Sequence, residues 1–159
     1  MKINLALNSR LISEDKAREK ARRKLGAMNT SSVRSGLCYK KMYFMKVMAY
    51  ASRVPFPPKK RPYVIFYDSY LSLGGMTYGV PEYEKKIVND DLIVQDKVTR
   101  DSFEDQKDNF IERFILKQYL LKRPDIKVEG IEEIYLPYYR CTFNGREVYI
   151  NAATGKSSL

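Results

Sequence analysis

The spacing of hydrophobic positions changes period along the chain, and each change predicts an element. In "EDKAREKARRKLGAM", Ala17, Ala21, Leu25 and Met28 recur at helical spacing, which predicts an amphipathic helix with a thin, Ala-rich stripe. Ser13 stands where it can cap that helix. Glu14 and Asp15 fall in the first turn and Arg22, Arg23 and Lys24 in the last, each sign at the favourable end of the helix dipole.

After the polar connector "NTSSVRSG", the run "LCYKKMYFMKVMAYASR" reads as a long strand carrying Tyr39, Tyr43, Phe44, Val47 and Tyr50. A helix competes, because Met, Lys and Ala favour one. The strongly β run "RPYVIFYDSY", one short connection away, favours the strand. Pro55, Pro57 and Pro58 lie between the two runs and would stop pairing. "PFPPKKRPY" therefore reads as a stiff hairpin tip with Lys59, Lys60 and Arg61 on it. "LGGMTYG", with Gly74, Gly75 and Gly79, predicts a turn. Two short β-prone runs, Ile87–Val88 and Leu92–Val94, fill the stretch that follows.

The clearest helix is "DSFEDQKDNFIERFILKQYLLKRP". Phe103, Phe110, Ile111, Phe114, Ile115, Leu116, Tyr119 and Leu120 make a broad apolar face, and Pro124 stops it. Ser102 with Asp105 three residues on has the form of a capping box. "IEEIYLPYYRCTF" and "REVYINAAT" then flank Asn144-Gly145, the strongest short hairpin signal in the chain.

The order helix, long strand, turn, strand thus occurs twice, with a period near 90 residues. Such a period fits duplication of one small α+β unit, and it fits equally two unrelated helix-on-sheet pieces. The expected fold class is α+β, two helix-plus-antiparallel-strand units with helices packed on antiparallel sheet. The expected organisation is a basic unit at 1–80, a connector of irregular strands at 81–100 and a second unit at 101–159, the whole able to form one domain.

Composition adds charge to this picture. The chain has 159 residues and a net charge of +10, 44% hydrophobic and 30% charged positions, 13 Tyr, 7 Phe and no Trp. Residues 1–62 hold 16 Lys/Arg against 3 Asp/Glu, while residues 63–159 hold 13 against 16. A basic first half points to an anionic partner, whether nucleic acid, anionic lipid or an acidic protein, and equally to a solvated basic face. The candidate binding residues are Arg22, Arg23, Lys40, Lys41, Tyr43, Lys59, Lys60 and Arg61. Interleaved cations and aromatics would suit phosphates and bases if the rings were exposed. The helix at 14–28 shows Ala where a membrane-surface helix needs Leu, Phe or Trp, which argues against a membrane surface.

Catalysis lacks its usual parts. There is no His, so the commonest general base and metal ligand is absent. Asp90-Asp91 and Glu132-Glu133 are adjacent pairs whose side chains would diverge on a strand. Cys38 and Cys141 have no His to activate them and no metal spacing; whether they are bridged is open. No cofactor or metal is expected, and the chain reads as a non-enzyme. "MKINLALNSR" is too short and polar for a signal peptide. As written the chain reads as cytoplasmic, or as extracytoplasmic if a leader has been trimmed.

The ending "FNGREVYINAATGK" resembles the PepSY and cystatin-like group of small α+β modules, with Asn151 where that group usually carries Asp. "YVIFYDSYLSLGG" resembles the same ending, with Asp68 in place and the Thr-Gly lost. The resemblance implies a tandem arrangement and a non-catalytic protein-binding or inhibitor-like regulatory module, often exported. A protein partner is the expectation from it. Nucleic acid bound by the basic first half is the alternative, and a half-covered sheet with exposed Tyr would favour a homodimer.

Overall fold

The structure, a computed structural model, describes residues 1–7, 10–71, 73–97 and 99–158. The elements in chain order are β1 (Lys2–Ala6), α1 (Glu14–Leu25), β2 (Arg34–Arg53), β3 (Phe56–Asp68), β4 (Leu73–Thr77), β5 (Tyr83–Ile87), α2 (Arg100–Phe114), β6 (Asp125–Phe143), β7 (Arg146–Asn151) and β8 (Ser157–Ser158). The fold is mixed α+β, two helices against a largely antiparallel sheet. The strand order is β4-β3-β2-β6-β1-β5, with β7 on β6 and β8 on β7. Among the described residues no helix is long and apolar enough to cross a membrane.

Two compact units emerge, and their boundaries differ from 1–80, 81–100 and 101–159. The first comprises residues 1–40, 83–94 and 135–159, the second 41–82 and 95–134. The reason lies in β2 and β6, strands of 20 and 19 residues, each of which contributes one stretch to each unit. The first unit holds 15 Lys/Arg against 7 Asp/Glu and the second 14 against 12, so +8 of the net charge belongs to the first and +2 to the second.

In the first unit, Ser13 caps α1 by accepting the Lys16 N–H at 3.1 Å. Gly26, at φ 74°, ends the helix in the left-handed region, where glycine carries no Cβ penalty. Ala17, Ala21 and Leu25 pack on Cys141, Val148 and Ile150. Met28 lies beyond the glycine stop and is 91% exposed, so the apolar stripe ends one turn earlier than its spacing predicts. Asn144 and Gly145 take φ values of 52° and 77°, the positive-φ pair of a two-residue hairpin turn. β1 was not legible in the sequence. Its Ile3 joins Tyr39, Val88 and Tyr135 in a small core.

In the second unit, α2 seats Phe103, Phe110 and Ile111, with Ile115 beyond its end, on Tyr43, Met45, Val47, Ala49, Tyr63, Ile65 and Tyr67. Phe103 stacks on Tyr43 and Tyr67 at centroid distances of 5.5 and 5.2 Å. The cap is Thr99, which accepts the Ser102 N–H at 3.3 Å; Ser102 therefore lies inside the helix. After a single 3-10 turn at Leu116–Gln118, Leu120 and Leu121 are exposed, so the apolar face is shorter than predicted. Gly74 and Gly75 are in β4, paired with Tyr67 and Phe66, and do not form a turn. A Cβ on Gly75 would lie 2.9 Å from the Phe66 ring, and one on Gly74 3.1 Å from Phe110. These glycines make room for aromatic rings.

The same hydrogen bonds occur in both units. Asp68 accepts the N–H groups of Tyr70 and Leu71, as Asn151 accepts those of Ala153 and Thr154. The next residue docks in each case on the long strand, Ser69 N–H to Lys41 O and Ala152 N–H to Pro137 O. Its carbonyl then receives a residue just ahead of a helix, Lys97 N–H at 3.0 Å and Ile12 N–H at 2.8 Å. Each helix therefore packs on the hairpin from the other half of the sequence, α1 on β6 and β7, α2 on β2, β3 and β4.

Candidate binding surface

Of the expected binding residues, the structure withdraws three from the surface. Tyr43 is 1% exposed beneath Phe103, and Lys40 is 1% exposed with Nζ above the Tyr138 and Tyr149 rings, 4.5 and 5.1 Å from their centroids. Lys41 pairs with Asp96 at 2.9 Å and lies 3.8 Å from Glu133. Strand alternation sends these side chains into packed layers, so they present neither a stacking face nor a phosphate contact. The remaining five lie on two surfaces, one in each unit.

The first surface is the outward side of α1. Lys16, Lys20, Arg23 and Lys24 are exposed. Among the described residues they form no ion pair, whereas Arg22 pairs with Glu19 at 3.1 Å and Arg18 with Asp15. Glu19 is held below the usual carboxylate range by its hydrogen bonds from Arg22 and Thr30. It stays charged but is largely engaged by those partners. Lys20, Arg23 and Lys24 then line an open cleft of about 710 Å³ with Gly155 and Lys156. The sequence alone already places Lys16, Lys20, Arg23 and Lys24 together on one basic helix, and only Lys156 is missing from that group. The i, i+4 and i+8 spacing of the three lysines was the available signal; Lys156 arrives only through the fold.

Gly155 shapes that cleft. It has φ 74°, and a Cβ there would lie 3.1 Å from Lys20 Cε and Nζ. The turn's backbone donors are already committed: Ala153 and Thr154 N–H to Asn151 Oδ1, Gly155 N–H to Asn151 O at 2.7 Å, and Lys156 N–H to Thr154 Oγ1. The cleft therefore offers flexible side-chain charges and no ring of backbone N–H groups of the kind that grips a single phosphate.

The second surface is the far end of the β2–β3 hairpin, where residues 52–62 are all exposed. The turn is at Val54–Pro55, and pairing continues from Arg53↔Phe56 through Ala51↔Lys59, Tyr50↔Lys60 and Ala49↔Arg61. Lys59, Lys60 and Arg61 are thus strand residues along the arm, and not at its tip as the prolines predicted. Pro57 and Pro58 lie at the register shift between Ala51 and Arg53, where the missing N–H groups cost no regular ladder bond. Arg53 Nε donates to the Pro57 carbonyl at 2.7 Å and ties the two strands together. The tip is apolar, with Val54 85% and Phe56 69% exposed.

Cys38 and Cys141 are both free and buried, and burial pushes each thiol up to about 11. Both remain protonated at neutral pH, the unreactive form. Among the described residues no group of His, Cys, Asp and Glu is placed to hold a metal. No protein family, curated protein or solved structure matches this chain.

Proposed function

We propose that this protein binds nucleic acid without catalysis, holding the phosphate backbone on the outward side of α1. The observation that carries the reading is the row Lys16, Lys20, Arg23 and Lys24, unpaired among the described residues and joined by Lys156 at the cleft. Phosphate-backbone recognition needs a density of mobile cations and little else. A site for a small phosphate would spend backbone donors on it, and those of the neighbouring turn are already used.

The test is fluorescence anisotropy on random single- and double-stranded oligonucleotides across a salt series. Each phosphate contact contributes about 0.9 to the slope of log affinity against log salt on duplex DNA. Replacing Lys16, Lys20, Arg23 and Lys24 by Gln should lower that slope by about 3 to 4. Absence of binding at low salt sinks the reading.

A second reading has its own observation. The matched turns after β3 and β7, built on Asp68 and Asn151, support a tandem PepSY-like or cystatin-like module acting as a regulator of a protein partner. Recovery of one protein in fixed ratio, together with no affinity for oligonucleotides, would favour it.

A further inference from the structure

We infer that the β2–β3 arm enters a groove of double-stranded DNA, its apolar tip against base edges and its cations on the two flanking backbones. This rests on the nucleic-acid reading above and concerns a different surface, in the second unit.

Three features of the arm carry it. First, the arm is a two-stranded ribbon with residues 52–62 exposed on both faces. Two strands lie about 4.8 Å apart, and the DNA major groove, about 12 Å wide and 8.5 Å deep, admits such a ribbon. Five residues per strand extend about 17 Å, enough to reach the groove floor.

Second, the cations are on both faces of the ribbon. Side chains alternate along a strand, so Lys60 projects opposite to Lys59 and Arg61. Lys60 lies over the Tyr50 ring at 5.8 Å, and Arg61 over Tyr63 at 5.4 Å, rings that support the two cations on their separate sides. A one-sided basic patch would suit a flat anionic surface such as a membrane. Cations on both sides suit a slot with two phosphate walls.

Third, the turn at the leading end is apolar, and the cation beside it, Arg53, is turned back onto the Pro57 carbonyl. Val54, Pro55 and Phe56 lie ahead of Lys59, Lys60 and Arg61 on the arm, and apolar groups at a groove floor meet thymine methyls or wedge at a base step. The same end would find no such floor on a single strand. In duplex RNA the major groove is too deep and narrow for side chains to read.

The experiment compares the full chain, the tip variant V54S/F56S and the shaft variant K59A/K60A/R61A. Probes are a 20-base-pair DNA duplex, its single strand, the matching RNA duplex and phosphatidylserine vesicles. Circular dichroism and thermal midpoints confirm that the exposed substitutions leave the fold intact. The wild type should favour the DNA duplex over the single strand and the RNA duplex by about tenfold. The tip variant should lose that preference while keeping its salt slope, and the shaft variant should lose about 2 to 3 of the slope. An unchanged duplex preference in the tip variant overturns the inference and leaves the α1 reading standing. A tip variant that loses only vesicle binding also overturns it, in favour of a lipid surface. Loss of all oligonucleotide binding in the wild type overturns both readings.

Discussion

α1 and α2 hold matching positions in their own units, each entered through a hydrogen bond to the residue after a hairpin, from Ile12 to Ala152 and from Lys97 to Ser69. They differ in what they turn inward and outward. α1 buries Ala17, Ala21 and Leu25 and carries six cations against three acids; α2 buries Phe103, Phe110 and Ile111 and carries three against five. Burial contributes in proportion to apolar area, so α2 is the more strongly anchored helix. Excess like charge works against a compact state. Arg22, Arg23 and Lys24 are favourably placed at the C-terminal end of α1, whereas Lys16 and Lys20 gain nothing from the dipole there and would serve the proposed phosphate contact.

The largest effect should come from emptying the aromatic side of that comparison. Phe103→Ala removes the ring stacked on Tyr43 and Tyr67 and should cost about 3 to 5 kcal/mol in urea unfolding. A loss below about 1 kcal/mol would mean that α2 is not anchored by this stack. On the thin side, Ala21 is fully buried because the helix approaches β7 closely. Ala21→Leu should then destabilise by about 1 to 3 kcal/mol through overpacking. Stabilisation instead would reveal spare space and a loosely seated α1.

The caps give smaller, equal effects. Ser13→Ala and Thr99→Ala should each lower stability by about 1 kcal/mol, whereas Ser102→Ala should stay within about 0.5 kcal/mol. A larger loss at Ser102 than at Thr99 would restore the capping box read from the sequence.

That misplaced cap shows where sequence reasoning ran out. The two helices, the long β2 and the Asn144-Gly145 turn were legible because period and turn chemistry are local. The repeated order was also visible, but not the exchange of helices between hairpins, which depends on contacts between residues as distant as Ile12 and Ala152. Gly74-Gly75 carried the usual mark of a turn, and only the facing rings of Phe66 and Phe110 explain two glycines in a strand. Among the candidate residues, Arg23 and Lys59, Lys60 and Arg61 kept their exposure. Lys40 and Tyr43 lost theirs because burial of a strand face is decided by what packs on it. Lys156 joined the α1 lysines from 132 positions beyond Lys24, a distance no motif spans.

The smallest effect on stability should accompany the largest effect on binding. Lys16, Lys20 and Lys24 repel at i, i+4 spacing, each pair worth about 0.2 to 0.5 kcal/mol. The most direct measurement is therefore a paired one on the variant with Lys16, Lys20, Arg23 and Lys24 changed to Gln: unfolding free energy, and duplex affinity across a salt series. Stability should be unchanged or raised by about 0.5 kcal/mol, with the salt slope reduced by about 3 to 4. Full retention of the wild-type slope, or its loss together with the fold, would contradict a contact surface on α1.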